Sequence, residues 1–379
     1  MNPLARVIAV VLLVGCAAPV SVSPSATTAT SPPVATTAAA SRTREPYRFA
    51  LLYGETRAAT QPTAISVLSL NGGVPRVVAA LAPEHDGHFA IHPEYRSLAI
   101  LDGLDHHLAH ETTWRLRLVD LTRGTERDVI AETTEGERTV PRDVAWSSQG
   151  SLLIASRRSL DVVDVTSGLR RSVMSFAETT LDVTFQDQQH GALLVTQTAE
   201  TISVYALDDS GVPRHVVDRP VVGYAAYAKR VGTDDILEVV TRYDGTVVFS
   251  LLRADSVREW TLAGPKVDGV VALAGTTAAA AYLAWPVAAS DPAAFGMEGS
   301  AFLYRASYDA SLETVAGMRN WGEFAPLGVS PDGRAVIVPS GERAQAGARF
   351  AIAVCCEQRP PAPLLDYGDR FVIGWIAER

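Results

Sequence analysis

The sequence predicts an all-β protein assembled from repeated four-stranded antiparallel units. Three observations carry that expectation. From Tyr47 onward the chain is a series of short apolar runs separated by Gly, Asp, Asn and Pro turns. No long stretch keeps the 3.6-residue period of an amphipathic helix. The arrangement of apolar run, polar turn and second apolar run also recurs along the chain, at intervals of about 40 to 55 residues.

Length and composition set the outer limits. At ~150 residues per domain the 379-residue chain would hold two or three domains, but one repetitive all-β domain can absorb more than that. Hydrophobic residues make up 47% and charged residues 20%, which excludes wholesale disorder and a multi-span membrane protein. Lys and Arg total 33 against 42 Asp and Glu, a net charge of −9, and the only lysines are Lys229 and Lys266. An acidic chain without a basic block is not built to bind nucleic acid, so no such partner is expected. Three cysteines are too few for a disulfide scaffold.

The N-terminal segment comes first in the chain. Met1 to Cys16 reads MNPLARVIAVVLLVGC, with one positive charge at Arg6 and an apolar run from Val7 to Val14. That run is far shorter than the ~20 apolar residues a membrane-spanning helix needs, and it fits the core of a signal peptide. Its last four residues, Leu13-Val14-Gly15-Cys16, resemble the lipobox of bacterial lipoproteins. The resemblance implies cleavage after Gly15 and a lipid on Cys16; the alternative is an ordinary secretory signal with a chance cysteine. Residues 17 to 44 are nearly all Ala, Ser, Thr, Pro and Val. With no aromatic or large apolar side chain to bury, they cannot offset their ordering entropy and read as a disordered tether. The expected layout is a signal peptide over 1–15, a tether with lipidated Cys16 over 16–45, and a folded domain over 46–379. Such a chain faces the extracytoplasmic side of a membrane, anchored to the cell envelope.

Four segments carry the repeat: FAIHPEYRSLAIL from Phe89, DVAWSSQGSLLIA from Asp143, DVTFQDQQHGALLV from Asp182 and LGVSPDGRAVIVP from Leu327. Ser330-Pro331-Asp332-Gly333 has Pro and Gly where a tight reversal wants them. A third and often a fourth apolar run follow, giving units of strands A to D. This spacing resembles the blade repeat of β-propellers, and the Ser-Pro-Asp-Gly turn resembles TolB-like and WD-type propellers of exported bacterial proteins. Weaker units start near Val221 and Val267. The last run, Phe371 to Ile376, matches a strand A, while RFALLYG, AISVLSL and PRVVAAL near the start form an unclaimed B, C and D. Joining them makes a composite blade that removes the open edges. The count is then seven, or six if one weak unit is an excursion.

In that topology the D–A connections and B–C loops open on one face. B–C connections are short in blades three to five, as at Ser156–Ser159, Gln197–Glu200 and Tyr243–Gly245. They are long at Gly54–Thr63, Gly103–Thr113, Trp285–Ser300 and Ser340–Ala348, in the consecutive blades six, seven, one and two. Long loops on a rigid scaffold are where function concentrates, although surface insertions also drift freely. Arg57, Trp285, Phe295 and Arg343 are the candidate contacts there, toward a protein or an envelope polymer. Trp285, Phe295 and Met297 line that face or tuck the loop down.

Six of the eight histidines lie between His85 and His110. His85, Asp86 and His88 fall in the connection entering blade two, and Asp105, His106, His107 and His110 in its B–C loop, with Asp102 and Glu111 nearby. Imidazoles and carboxylates are the ligand set of a transition metal, and that cluster would serve a metal-assisted hydrolase, lactonase or lyase. A hydrated polar loop without metal accounts for the same residues. His92 falls in the A–B turn, at the opposite end, and is excluded. No HExxH, GxSxG, phosphate-binding glycine loop or GxGxxG is present, so no catalytic residue is assigned. Adjacent Cys355 and Cys356 are either two small buried residues or a strained vicinal disulfide.

Overall fold

The computed structural model describes residues 46–55, 61–83, 87–103, 111–186, 192–221, 223–229, 236–242, 246–253, 256–261, 272–277, 280–286, 301–307, 311–318, 328–340, 349–354, 362–366 and 370–378. The described residues form strands and turns only, with no helix. The strands group into seven four-stranded antiparallel sheets. Six of these sheets are consecutive in the chain, each starting from one strand A: Gly87–Ile91, Pro141–Trp146, Asp182–Gln186, Gly223–Lys229, Ala272–Thr276 or Gly328–Val329. The remaining sheet is composite. Its strand A, Arg370–Ala377, pairs with Phe49–Glu55, which pairs with Thr63–Ser69 and then Arg76–Leu81. Successive sheets pack face to face, and the fold is a single β-propeller.

Side-chain alternation explains why the strands read as unbroken apolar runs. In Leu152–Ser156, Leu152 and Ile154 pack with Ala99, Leu101, Trp114 and Leu116 of the preceding sheet. Leu153 and Ala155 point the other way and pack with Val183, Phe185 and Leu194 of the following sheet. Leu98 and Ile100 likewise face the composite sheet, while Ala99 and Leu101 between them face the next one. Both faces of such a strand are dry, so its apolar residues do not alternate with polar ones. Each fully buried Leu or Ile contributes about 1.5–3 kcal/mol relative to exposure.

Turns repeat as faithfully as strands. At the A–B turns, Ser147 N–H donates to Ser151 O at 2.9 Å and Ser330 N–H to Ala335 O at 2.8 Å. His92 N–H donates to Ser97 O at 2.9 Å in the same way. Trp146 then ties two sheets together, its indole N–H reaching Ala90 O at 2.9 Å and its ring meeting His92 edge-on at 4.7 Å. At three of the C–D turns an Asp stands at or just past the end of strand C and a Gly with positive φ follows. Asp120 Oδ1 accepts the N–H groups of Thr122 and Arg123, and Asp164 Oδ1 those of Thr166 and Ser167. Asp208 Oδ1 accepts those of Ser210 and Val212. Gly124, Gly168 and Gly211 have φ of 66°, 71° and 82°.

Closure depends on the C-terminal strand. Its register with Phe49–Glu55 runs from Phe49↔Ala377 to Glu55↔Arg370, with an irregularity between Leu52 and Tyr53. Trp375, 1% exposed, packs with Leu51, Tyr53, Ala335 and Ile337, joining the last sheet to the first.

Candidate functional site

Five side-chain hydrogen bonds define the face on which D–A connections and B–C turns meet. Arg157 sits in the tight B–C turn between Leu152–Ser156 and Ser159–Val163. Ser156 Oγ fixes that turn by accepting the N–H groups of Arg158 and Ser159 at 3.1 and 3.0 Å. Arg157 Nη1 bonds Glu137 Oε1 at 2.6 Å, in the D–A connection entering the same sheet. Arg138 donates to the carbonyls of Glu178 and Ala177, at 2.6 and 3.2 Å, in the next such connection. The two kinds of loop therefore do share a face, as blade topology requires.

His88 stands near this face, second in Gly87–Ile91, with 36% of its side chain exposed. Its Nδ1 lies 3.4 Å from Asp143 Oδ1 on the adjacent strand A. Asp143 is buried, and its Oδ2 accepts Phe185 N–H at 2.7 Å and Thr184 Oγ1–H at 3.1 Å from the strand A beyond. Its Oδ1 accepts Val144 N–H at 2.8 Å. One carboxylate thus joins three sheets. A neutral imidazole that donates Nδ1–H to a carboxylate carries its lone pair on Nε2, the tautomer of a general base or a metal ligand.

Of the histidines, carboxylates and loop contacts that the sequence assigned to a site, His88 is the one whose side chain the structure describes, with Asp102 and Glu111 also described. Cys16, Arg57, His85, Asp86, Asp105, His106, His107, His110, Phe295, Met297, Arg343, Cys355 and Cys356 lie outside the described residues. Trp285 lies on Ala280–Pro286, its backbone opposite Phe302, but its side chain is also outside them. His92 is in the A–B turn, apart from the face, as expected. Asp102 belongs to a different arrangement from the one its spacing suggested. It is 0% exposed and held by Arg115 Nη2 at 2.9 Å and Arg117 Nη2 at 2.8 Å. Those ion pairs commit it to the sheet. Among the described residues no group of three His, Cys, Asp or Glu is placed to hold a metal ion.

Sequence reasoning missed Glu137, Arg142, Asp143 and Arg157. Asp143 had a visible signal, because Asp143-Val144 and Asp182-Val183 occupy the same repeat position and each Asp accepts the next N–H. Arg142 had none. It lies at an irregularity where Pro141 pairs with Ser156 and Asp143 with Ala155, which leaves Arg142 out of the register.

Other arginines act between sheets. Arg117, 4% exposed, also bonds Glu126 at 3.0 Å and Ala80 O at 2.9 Å on the preceding sheet. Arg170 bonds Asp161 at 2.8 Å and Glu135 on the preceding sheet, with its guanidinium 5.5 Å from the Trp114 ring centre. Arg219 reaches Glu238 at 3.2 Å and Glu259 at 3.4 Å on the following sheet.

No family model matches the chain. No curated protein matches it either. Solved structures do. The periplasmic gluconolactonase PpgL of Pseudomonas aeruginosa is 15% identical with a TM-score of 0.55, over 87% of this chain and 99% of that one. A protein from Lactobacillus plantarum is 10% identical with a TM-score of 0.55, over 88% and 99%. TolB from Acinetobacter baumannii is 11% identical with a TM-score of 0.45, over 87% and 67%. The first two likenesses establish the β-propeller fold, a scaffold that hosts binding modules and enzymes alike.

Proposed function

We propose that the protein is a cell-envelope lipoprotein, anchored through Cys16 on the extracytoplasmic side, whose propeller is a binding or scaffold module for a protein or an envelope polymer. The observation that carries this reading is the order of parts in the chain. An apolar run ends in Leu13-Val14-Gly15-Cys16, an Ala/Ser/Thr/Pro tether follows, and a propeller begins at the end of that tether. A propeller of known periplasmic location among its structural neighbours supports the extracytoplasmic side. The partner engages the half of the face bearing the long B–C connections, through Arg57, Trp285, Phe295 and Arg343. Metabolic labelling with an alkyne palmitate analogue in a bacterial host tests the anchor. Wild-type protein takes up label and Cys16→Ser does not; an unlabelled wild type rejects the lipoprotein. Cross-linked pull-down from its own envelope tests the partner, which Arg57→Ala with Arg343→Ala should lose.

The contact between His88 and Asp143 favours a second reading, an exported metal-assisted hydrolase, lactonase or lyase. In it His88 joins His85, Asp86, Asp105, His106, His107 and His110 around a transition metal. Titration of the purified chain with zinc tests it. Tight uptake that His88→Ala and His106→Ala abolish supports this reading, and no uptake with all these histidines intact rejects it.

A further inference from the structure

Arg142 and Arg157 are brought together by two separate backbone devices. A β-bulge puts an extra residue into a strand and re-aims its side chain. Arg142 is that extra residue, between Pro141 and Asp143. Arg157 is held at the tip of a tight turn by Ser156. Both guanidinium groups meet the same short connection: Arg157 takes the Glu137 carboxylate and Arg142 Nη2 approaches the Glu137 carbonyl at 3.5 Å. Burial first, and then the nearby Arg157, hold the basicity of Arg142 below its ordinary value, against the opposing pull of Glu137 and Asp182. Two cations crowded in a half-buried place are stabilised by an anion that can bridge them.

We infer that Arg142 and Arg157 form a recognition site for the carboxylate of a small organic acid, at a position that the side chain of Glu137 holds in the folded chain. Glu137 suits that role because its side chain is 57% exposed and lies in a connection, not a strand. The pair opens to solvent on the Glu137 side, where water screens its attraction, so a ligand carboxylate can compete for the same guanidinium. Guanidinium forks match a planar carboxylate with paired donors. Asp182 remains beside Arg142 after such an exchange, so a monoanion is accommodated better than a dianion. Arg138 is not part of the site, since its guanidinium is committed to the carbonyls of Ala177 and Glu178. The site lies in blade three, among its D–A connection, bulge and short B–C turn, on the same face as the long B–C connections but outside the half that bears them.

Calorimetric titration of the full-length chain in detergent provides the test, with lactate, its neutral counterpart lactamide and inorganic phosphate as probes. Lactate should bind and lactamide should not. Glu137→Gln should tighten lactate binding about threefold by removing the competing carboxylate. Arg157→Ala and Arg142→Ala should each weaken it about tenfold or more, and Arg157→Lys should not restore it. Melting curves of each variant without ligand separate loss of the site from loss of the fold. Failure of both wild type and Glu137→Gln to bind lactate overturns the inference. So does phosphate binding as tightly as lactate, or a folded Arg157→Ala that binds like wild type. Envelope pull-down reads the partner face separately, so either idea can fail alone.

Discussion

His92 and Asp102 show how one side chain's surroundings set its contribution. His92 Nδ1 accepts Glu94 N–H at 3.0 Å, which requires that nitrogen to be unprotonated. Burial pushes the pKa of His92 below its ordinary 6.5, with Glu94 opposing and Arg96 assisting. A depressed folded pKa means the stabilisation is complete above the unfolded value and is lost as pH falls through the folded one. The melting temperature should therefore drop below about pH 6.5 more in wild type than in His92→Asn, whose amide oxygen accepts the same bond at any pH. Parallel pH profiles from thermal melts would dismiss this account. Asp102 is the buried anion beside the nearly inaccessible Arg117. Asp102→Ala leaves that cation with less compensation and should cost about 3–5 kcal/mol in urea unfolding. A cost near zero would mean that Glu126 and Ala80 O alone suffice.

Within single elements, the C–D turns are the clearest unit. Their pattern, Asp followed by a hydroxyl residue and then Gly, is present in VDLTRG, VDVTSG and LDDSG, yet it was read only as generic turn composition. The reason is physical: Asp favours turns in many contexts, and only the paired N–H contacts reveal a repeated cap. Gly168 has φ of 71°, and a Cβ there would stand 2.1 Å from Val129 O of the preceding sheet. Gly168→Ala should therefore destabilise the protein by about 2 kcal/mol or more, combining backbone strain with steric displacement. Gly124→Ala, with similar φ but nothing within 4 Å, isolates the conformational part and should cost less. Equal losses in denaturant titrations would refute the close-approach argument.

For the whole molecule the decisive contact is closure. A twisted stack of sheets with a free first and last edge would expose unpaired backbone. The chain avoids that by pairing Arg370–Ala377 with Phe49–Glu55 and burying Trp375 against residues from both ends. Trp375→Ala should cost about 3–5 kcal/mol, lowering the midpoint of unfolding. An unchanged midpoint would show that the other strand pairings close the ring without it. Closure was legible beforehand because Phe371 to Ile376 had the pattern of a strand A and the N-terminal runs lacked one. Arg142 was not legible, because a bulge depends on how two strands pair.

The sequence by itself determined the all-β class, the repeating four-strand unit, the composite sheet and the sharing of one face by two kinds of loop. Each follows from apolar runs and turn residues, which act locally and are written in order along the chain. Tertiary structure decided which polar residues meet. Asp102 was drawn to Arg115 and the buried Arg117, His88 was set against Asp143, and Arg142 was brought beside Arg157, residues from different strands or sheets. Such encounters depend on strand register and sheet packing, which fix distances between residues that the linear order keeps apart.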